Sequence, residues 1–440
     1  MKHLSILALC AIISLPASAA SLAVDGSPVV EIQPETSTGL KTVYVIENAA
    51  LATITYTSNG GEVTWQRFSN LGGGYAEDIP FEQSGKKCSI IPNQGDMGYI
   101  ITEGSSQTCF WVVDYAAHTY HISNITFGES DCNRAILIAD GNADPIAYYS
   151  VNGRRTILSR DIQVQYYSMT YNDDNAEFEQ SRTTASVADI DGQFSVPAPL
   201  CDTQFTISPD RFERRWGYGN TITTSTFQAS AIDVRTSAQQ TEREVDNEKP
   251  LEAELGGSAP CEITFKAAVT DAAIFHRWEI STDSQFESVD LQYNDTEFTY
   301  TFTEAGTTYV RLVANNADAT CEYISDSYTI SVGDSQLECP NAFSPGASEG
   351  VNDIWKVSFR SIIEFDCHIF NRWGKEIIHL TDPSQGWDGR YNGKLVPSGT
   401  YFYVIKARGS DNRNYDLSGH INIINYRTAG SASSGSETVE

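Results

Sequence analysis

Basic residues are scarce in this 440-residue chain. It carries 29 Lys and Arg against 57 Asp and Glu, a net charge of −28 at pH 7. Because a chain with this much negative charge repels phosphate backbones, nucleic acid is not an expected partner. Long apolar runs are scarce too. After Leu4–Leu15, no segment is long and apolar enough to cross a membrane as a helix. We therefore expect no transmembrane segment in the mature chain.

Several common catalytic motifs, and the pattern of long helices, are missing as well. The sequence has no His-Glu-x-x-His, Walker or Cys-x-x-Cys motif, and no twelve-residue stretch after Leu15 sustains a 3.6-residue apolar repeat. Instead, short runs of β-branched and aromatic residues alternate with Gly, Asn and Ser turns. Tight turns or hairpins are predicted at Ser58–Gly61, Asn152-Gly153, Asn371–Gly374 and Asn392-Gly393. The predicted fold class is all-β, with tandem β-sandwich domains. No enzymatic activity is expected, although residues 119–240 leave that question open.

The first residues predict export. A basic start, the apolar run Leu4–Leu15 and small residues up to Ala20 form a signal peptide over residues 1–20. Removing it takes Cys10 and leaves an even number of cysteines, which in an exported chain indicates disulfides. Because each predicted domain holds two, we expect sequential pairing. The expected pairs are Cys88–Cys109, Cys132–Cys201, Cys261–Cys321 and Cys339–Cys367.

Regularly spaced strand patterns predict three β-sandwiches in series. Residues 24–118, with a central Trp65, are predicted to be immunoglobulin-like. Residues 256–333 are predicted likewise, from a Cys…Trp…Cys order, whereas residues 119–240 are predicted as a β-sandwich of unknown type. Residues 241–255 hold six acidic residues against two basic ones, with a proline inside, and are predicted to be an exposed acidic linker.

Two clusters within residues 119–240 are candidates for binding. Asp173, Asp174 and Glu177 are weak candidates for a structural calcium site, since Ca²⁺ takes oxygen ligands, but a solvated hairpin tip is the favoured explanation. The second cluster could bind a glycan or an anionic polymer by stacking and charge; alternatively, its aromatic residues are core and its arginines pair with nearby acids. Its candidate residues are Arg211, Arg214, Arg215, Trp216 and Tyr218. No other metal or cofactor is expected.

The last ninety residues contain five clusters in which turn residues adjoin a strand pattern. They predict a small antiparallel β-sandwich over residues 336–428, followed by a flexible tail, residues 429–440. The residues that define these clusters are Asn371, Arg372, Trp373, Gly374, Trp387, Asp388, Gly389, Pro397, Gly399, Tyr401, Gly419 and His420. In order and spacing they resemble the gliding-motility-associated C-terminal domain, the type B sorting domain of the Bacteroidetes type IX secretion system. We expect the domain's aromatic side chains, Trp373 among them, to be packing residues.

The resemblance implies export across the outer membrane to the cell surface or the medium. Its implied partners are the type IX translocon and a dedicated outer-membrane protein. For the preceding domains, a non-catalytic adhesive or structural role is favoured, because immunoglobulin-like units in series make spacers and binding faces. The alternatives are a polysaccharide-binding or polysaccharide-degrading protein with its site in residues 119–240, or an accessory component of the secretion or gliding machinery. A surface glycan or another surface protein would then be a further partner.

Overall fold

The computed structural model describes residues 21–72, 74–93, 95–347 and 350–424. The predicted signal peptide, residues 1–20, and the predicted tail, residues 429–440, lie outside the described residues. Within them the fold is nearly all β, as predicted, and none of the helices is long and apolar enough to span a membrane. The chain divides into two compact units: unit 1 comprises residues up to Ser168 together with Gln180–Ala229, and unit 2 comprises Met169–Glu179 and the residues from Ser230 onward.

Domain I of unit 1 is a sandwich of two sheets, ordered β1-β4-β8-β7 and β2-β3-β10-β9-β5-β6. Its second sheet is buried on both faces, which explains why β3 and the end of β10 are continuous apolar runs rather than alternating ones. Its strands are β1 (Ser21–Asp25), β2 (Val29–Ile32), β3 (Thr42–Ile46), β4 (Thr53–Thr57), β5 (Val63–Phe68), β6 (Glu77–Asp78), β7 (Glu82–Ser84), β8 (Lys87–Ile90), β9 (Met97–Glu103) and β10 (Ser106–Asp114).

The turn after β4 leads from one sheet of domain I to the other. A single carboxylate, that of Glu103, holds it: it accepts hydrogen bonds from Ser58 Oγ at 2.6 Å, Tyr56 Oη at 2.7 Å and the Gly61 amide at 2.9 Å. These bonds, that from Ser58 first, lower the pKa of Glu103 to about 2. The turn therefore depends on an ionised carboxylate.

We predict that Glu103 makes domain I sensitive to acid. Because its pKa is lower in the folded than in the unfolded chain, its contribution to stability is present above its unfolded pKa and is lost as pH falls toward about 2. Unfolding of the wild type and of Glu103→Gln should be compared at pH 6, 4 and 2.5. The variant should be less stable at pH 6, with the difference shrinking toward pH 2.5; a difference independent of pH would contradict the prediction.

Domain II, which lies in unit 1 except for the hairpin tip Met169–Glu179, has three sheets, ordered β11-β12-β17, β13-β14 and β16-β15-β18-β19. The hairpin predicted at Asn152-Gly153 is confirmed, since it joins the paired strands β13 and β14. Its elements are β11 (His121–Phe127), β12 (Arg134–Ala143), β13 (Ile146–Tyr149), β14 (Arg155–Leu158), β15 (Ile162–Asn172), β16 (Glu177–Val187), β17 (Ile190–Pro197), β18 (Thr206–Ile207), α1 (Arg211–Trp216) and β19 (Ile222–Thr223).

Domains I and II share a hydrophobic core. The outer face of the second sheet of domain I, including Trp111 and Phe68, packs against Ile146, Tyr148 and Phe212 of domain II. Both Trp111 and Phe212 are almost completely buried. The two domains of unit 1 are thus joined by packed side chains as well as by the chain between them.

Domain III, in unit 2, is a sandwich with sheets β20-β22-β25 and β21-β28-β26-β23-β24; β27 pairs with β26. Trp278 is fully buried and packs on Phe265, as the immunoglobulin-like pattern predicts. Its strands are β20 (Val234–Gln240), β21 (Gly256–Gly257), β22 (Cys261–Val269), β23 (Phe275–Ser281), β24 (Leu291–Tyr293), β25 (Glu297–Phe302), β26 (Gly306–Asn315), β27 (Glu322–Ile324) and β28 (Tyr328–Val332).

Residues 241–255 are not a linker between domains. Strand β20, placed in the second domain by the sequence analysis, pairs along its whole length with β22 of domain III, so residues 241–255 form a loop inside domain III. This loop lies along the C-terminal domain: Asn247 O accepts from the Phe359 amide at 3.1 Å, and the Lys249 amide donates to Phe359 O at 2.6 Å. Asp246 pairs with Lys356 at 2.7 Å. Backbone pairing to a neighbouring strand explains why so polar a segment is ordered.

Domain IV, the C-terminal domain, has a five-stranded sheet ordered β30-β37-β36-β32-β33 and two small sheets, β29-β31 and β34-β35. The tight turn predicted at Asn392-Gly393 is confirmed, since both residues have positive φ (49° and 79°) between β34 and β35. The strands are β29 (Gln336–Glu338), β30 (Ala342–Phe343), β31 (Ser358–Arg360), β32 (Ile362–Phe370), β33 (Glu376–Leu380), β34 (Arg390–Tyr391), β35 (Lys394–Leu395), β36 (Gly399–Gly409) and β37 (Asn414–Ile423).

None of the four predicted sequential disulfides is formed. In domain I, Cys88 and Cys109 are free thiols. Cys88 lies in the core between the two sheets, whereas Cys109 packs on the outer face of the second sheet. Because successive side chains of a strand point to opposite faces, the two cannot meet without a register change. In domain II, Cys132 is disulfide-bonded, but not to Cys201, which is buried with its sulfur 3.6 Å from Gln180 Nε2.

In domain III, Cys261 is a free thiol and Cys321 is disulfide-bonded, though not to Cys261. Cys261 is the first residue of β22, whereas Cys321 follows β26 and lies at the end of the sandwich where β22 finishes. The two cysteines are therefore separated by about the length of β22, and a nine-residue strand spans about 27 Å, far more than a disulfide can bridge. In domain IV, Cys339 and Cys367 are neighbouring free thiols. Burial, with a smaller effect of Cys339, raises the pKa of Cys367 to about 12. A disulfide between these two in an oxidising compartment stays a prediction.

Candidate recognition site in the C-terminal domain

The turn between β32 and β33 is built by Asn371. Its side-chain Oδ1 accepts from the amides of Trp373 and Lys375, both at 3.0 Å. Gly374 follows with φ of +79°, a conformation that a side chain would strain. The hairpin predicted at Asn371–Gly374 is confirmed, and it holds Arg372 and Trp373 outward at its tip.

A groove of about 330 Å³ lies beside this turn. One wall is the turn itself, with Asn371, Arg372 and Trp373; the other is the segment Val396–Tyr401, at the start of β36. Tyr401 Oη donates to Pro397 O at 3.0 Å, which fixes the shape of the second wall. Two clusters separated by more than twenty residues in the sequence thus meet at one surface.

Charge and aromatic surface coincide at this groove. Trp373 is 75% exposed, and the Arg372 guanidinium lies 4.2 Å from the centre of its ring. Lys375 Nζ lies 4.8 Å from the centre of the Tyr391 ring. In a chain of net charge −28, this combination of two cations and an exposed indole is suited to a partner that offers acidic and apolar groups.

Other motif residues build the domain instead of its surface. Trp387 is completely buried; its ring packs on Phe343 and Tyr401, and its Nε1 donates to Arg390 O at 3.0 Å. At Gly389, φ is +75° and an added Cβ would lie 2.8 Å from Pro345. Gly419 lies against the Tyr403 ring, while Asp388 and His420 are exposed outside the groove. The motif therefore contains both a structural set and an exposed set.

Trp373 corrects the expectation that the domain's aromatic residues are packing residues. That expectation holds for Trp387 and Tyr401, which are buried, but Trp373 sits at a turn tip where no strand can cover it. Lys375, Ile377 and Tyr391, which also line the groove, were not singled out from the sequence. Only the register of β33 and the position of the β34–β35 hairpin bring them there, so no local signal could have identified them.

The basic–aromatic cluster of domain II is helical. Asp210 caps α1, with Oδ1 accepting from the amides of Phe212 and Glu213 at 2.9 and 3.0 Å. Phe212 is buried, Trp216 packs against the same core, and Arg214 pairs with Asp161 at 3.0 Å. This agrees with the packing alternative, although the element is a short helix in a chain whose predicted fold class is all-β. Arg215 and Tyr218 remain exposed, so glycan binding there stays a prediction.

The three calcium candidates, Asp173, Asp174 and Glu177, are exposed at the turn between β15 and β16. Asparagine side chains close this turn: Asn172 Oδ1 accepts from the Asp174 amide at 3.0 Å, and Asn175 Oδ1 accepts from the Glu177 amide at 3.2 Å. Among the residues the structure describes, one group of three side chains has potential metal-ligating atoms within 4.8 Å of one another, and it is Asp366, His368 and His379. Calcium at the turn stays a prediction.

The loop Pro345–Asp353 of domain IV contains Gly346-Ala-Ser-Glu-Gly350, a literal Gly-x-Ser-x-Gly pattern. In serine hydrolases that pattern forms a strained turn between a strand and a helix. Here the described residues on both sides form turns, and Asp353 closes the loop by accepting from the amides of Gly346 and Gly350 at 2.8 and 2.7 Å. The surrounding structure therefore differs from that of a hydrolase nucleophile.

Comparison with known proteins agrees with this geometry. Residues 337–423 match the CHU_C type IX secretion signal domain, over the span that contains both the groove and the buried motif residues. The C-terminal domain is a type IX secretion signal domain. Residues 124–224 match a fibronectin type III domain, which assigns domain II, whose sandwich type the sequence alone left open.

No curated protein matches the chain. One solved structure, titled "Crystal structure of tetra-tandem repeat in extending region of large adhesion protein", is 15% identical, and the match covers 92% of this chain and 100% of that one. Its TM-score of 0.22 is too low to indicate a shared overall structure.

The type IX secretion signal domain determines where the protein goes. The chain is handled by the type IX secretion system and exported across the outer membrane to the cell surface or the extracellular space. Together with the fibronectin type III domain, it makes this a secreted, β-sandwich surface protein.

Proposed function

We propose that an outer-membrane partner protein of the type IX system recognises the groove beside Asn371–Gly374, and that domains I–III form a non-catalytic adhesive or structural surface protein. The observation that carries the first part is the exposure of Trp373. An indole that is 75% exposed at a turn tip lowers the solubility of the protein and contributes no packing to the hydrophobic core. Paired with Arg372, it has the residue types that dominate binding energy at protein interfaces.

Point substitutions test this better than truncation. Removing the whole C-terminal domain would uncover the backbone of Asn247–Lys249 and the contact of Ile363 with the core of domain III. A truncated chain that failed to appear at the surface could therefore be misfolded, so the groove has to be altered inside an intact domain.

We predict that the double variant Arg372→Ala/Trp373→Ala accumulates in the periplasm, with at least a tenfold loss at the cell surface and in the medium. Both side chains are exposed, so folding should be unaffected. The matched control is Lys394→Ala/Phe402→Ala, which removes an exposed cation and an exposed aromatic from the same domain outside the groove. Normal export of a folded Arg372→Ala/Trp373→Ala protein would refute the recognition role.

For domains I–III, the support comes from how neighbouring domains are joined. Domains I and II share a buried core, and domain III is held to the C-terminal domain by the backbone pairing of residues 247–249 with Phe359. Such joints resist bending, as a spacer or adhesive stalk requires, whereas a flexible linker would not. Of the candidate glycan cluster, Trp216 packs at one of these joints and Arg214 forms an ion pair with Asp161.

The test is a direct comparison of adhesion with turnover. The purified mature chain should bind a host-cell or bacterial surface when coated on beads, and should release no reducing sugar from a panel of polysaccharides. Binding without turnover supports the proposal. Sugar release would instead favour the polysaccharide-degrading alternative, and binding lost only in Arg215→Ala/Tyr218→Ala would favour a glycan site on domain II.

A further inference from the structure

Two histidines and a carboxylate converge on the exposed face of the five-stranded sheet of domain IV. Asp366 and His368 are two residues apart on β32, so they share a face. His379 lies directly across from His368 on β33. The two imidazole rings are stacked, with centres 4.1 Å apart and planes 7° from parallel.

Both rings direct Nε2 toward the same carboxylate. His379 Nε2 lies 2.5 Å from Asp366 Oδ1, and His368 Nε2 lies 3.4 Å from Asp366 Oδ2. Bonds of about 2.0–2.2 Å to a tetrahedral Zn²⁺ place donor atoms about 3.4 Å apart. Spreading His379 and Asp366 by about 1 Å would therefore admit an ion, and the exposed side leaves room for a water as fourth ligand.

A second carboxylate fixes the orientation of His368. Glu376 Oε2 lies 3.2 Å from His368 Nδ1, on the side of the ring away from Asp366. A hydrogen bond from Nδ1–H to this carboxylate leaves Nε2 unprotonated and facing Asp366, which is the carboxylate–histidine arrangement that supports protein zinc sites. Surface histidines placed at random would not have such a partner.

The surroundings favour a small divalent cation with a preference for imidazole. Asp366 and Glu376 bring two negative charges, against one exposed cation, Lys406, across from Asp366 on β36. Side chains are 31% exposed at His368, 41% at His379 and 49% at Asp366, so an ion can enter from solvent. Ca²⁺ would need six or more oxygen ligands, which this group does not offer.

We propose that Asp366, His368 and His379 bind Zn²⁺, with Glu376 as the positioning residue for His368. The ion clamps β32 to β33 at the base of the hairpin that carries Asn371–Gly374. Because Zn²⁺ binds the folded hairpin and not the unfolded chain, it stabilises the domain that presents the recognition groove. The site does not depend on whether that groove is recognised.

The test is calorimetric titration of the mature chain, purified without a histidine tag, with ZnCl₂ and separately with CaCl₂. We expect one Zn²⁺ per chain and no Ca²⁺ binding at this site. Asp366→Ala and His379→Ala should abolish binding, and Glu376→Ala should weaken it about 10- to 100-fold. His420→Ala, which removes an exposed histidine from the same sheet, should change nothing.

Substitution with Co²⁺ gives an independent readout. Two imidazoles and a carboxylate should produce weak visible bands without the intense charge-transfer absorption of a thiolate ligand. Absence of Zn²⁺ binding, binding that survives in Asp366→Ala/His379→Ala, or a thiolate band that assigns the ion to Cys339 and Cys367 would each overturn the proposal.

Discussion

Replacing Asp210 with alanine is expected to destabilise unit 1 by about 3–5 kcal/mol, because it leaves a buried arginine without its counter-ion. Arg160 and Asp210 are both fully buried, with Nη1 and Oδ2 2.6 Å apart. Tyr115 Oη donates to the same Oδ2 at 2.9 Å, and the other carboxylate oxygen caps α1. One side chain thus completes an ion pair, a tyrosine hydrogen bond and a helix cap.

The effect should appear where domains I and II meet. Hydrogen exchange of the amides in β3 and β10, which lie under the shared core, should report the lowered free energy of opening in the full mature chain. The matched control is Asp161→Asn, which removes the partly exposed charge that pairs with Arg214, tolerates the φ of +49° at this position, and should cost about 0.2–1 kcal/mol. If the two variants were equally stable, the ion pair would not hold the joint.

A double replacement shows whether the destabilisation in Asp210→Ala comes from the lost interactions of Asp210 or from the buried charge of Arg160 that is left unpaired. Arg160→Met with Asp210→Leu removes both charges and should recover much of the stability lost in Asp210→Ala, since apolar replacement of a whole buried ion pair is often neutral or stabilising. Failure to recover would show instead that the helix cap and the Tyr115 hydrogen bond carry most of the effect.

Replacing Trp387 with alanine is expected to destabilise the type IX secretion signal domain by about 3–5 kcal/mol. The side chain has no exposed surface, packs on Phe343 and Tyr401, and donates a hydrogen bond through Nε1. Its removal leaves a large cavity that the surrounding sheets cannot close. Denaturant unfolding followed by the near-ultraviolet circular dichroism of the domain's aromatic residues should measure the loss.

Trp373→Ala is the natural control, because it deletes the same side chain from the exposed set of the same motif. Its effect on stability should stay within about 0.5 kcal/mol. The two variants therefore separate folding from recognition: both should reduce export, but only Trp387→Ala should unfold. A strongly destabilised Trp373→Ala protein would mean that the turn tip is structural after all.

Local sequence was sufficient wherever a backbone conformation decides the structure. The turns at Asn152-Gly153, Asn371–Gly374 and Asn392-Gly393 join paired strands as predicted, because Asn and Gly accept the positive φ that such turns need. The Ser58–Gly61 turn formed as well, yet it crosses between sheets. A turn signal specifies the reversal of the chain but not which strands pair afterwards.

Contacts between residues that are far apart in the chain could not be predicted from the sequence. The acidic segment 241–255 resembles a linker by composition, and only the pairing of its backbone with Phe359 makes it an ordered contact. Trp373 and Trp387 belong to the same motif by type, and only their places in the fold make one exposed and the other buried. The predicted pair Cys88–Cys109 is absent for the same reason, since the face of a sheet on which a thiol lies depends on strand register.

The sequence alone thus determined the all-β class, the series of sandwiches and the export of the protein. These depend on turn residues, on the alternation of apolar and polar residues along strands, and on a motif within one stretch of the chain. Only the tertiary structure decided which chemical groups meet on the surface of the protein, and the group Asp366, His368 and His379 shows the reason. Phe370 pairs with Glu376, but a bulge then pairs Ile369 with Ile378. That one-residue shift places His379, instead of Ile378, opposite His368 and on the face of Asp366, and a shift of this kind is set by packing of the whole sheet.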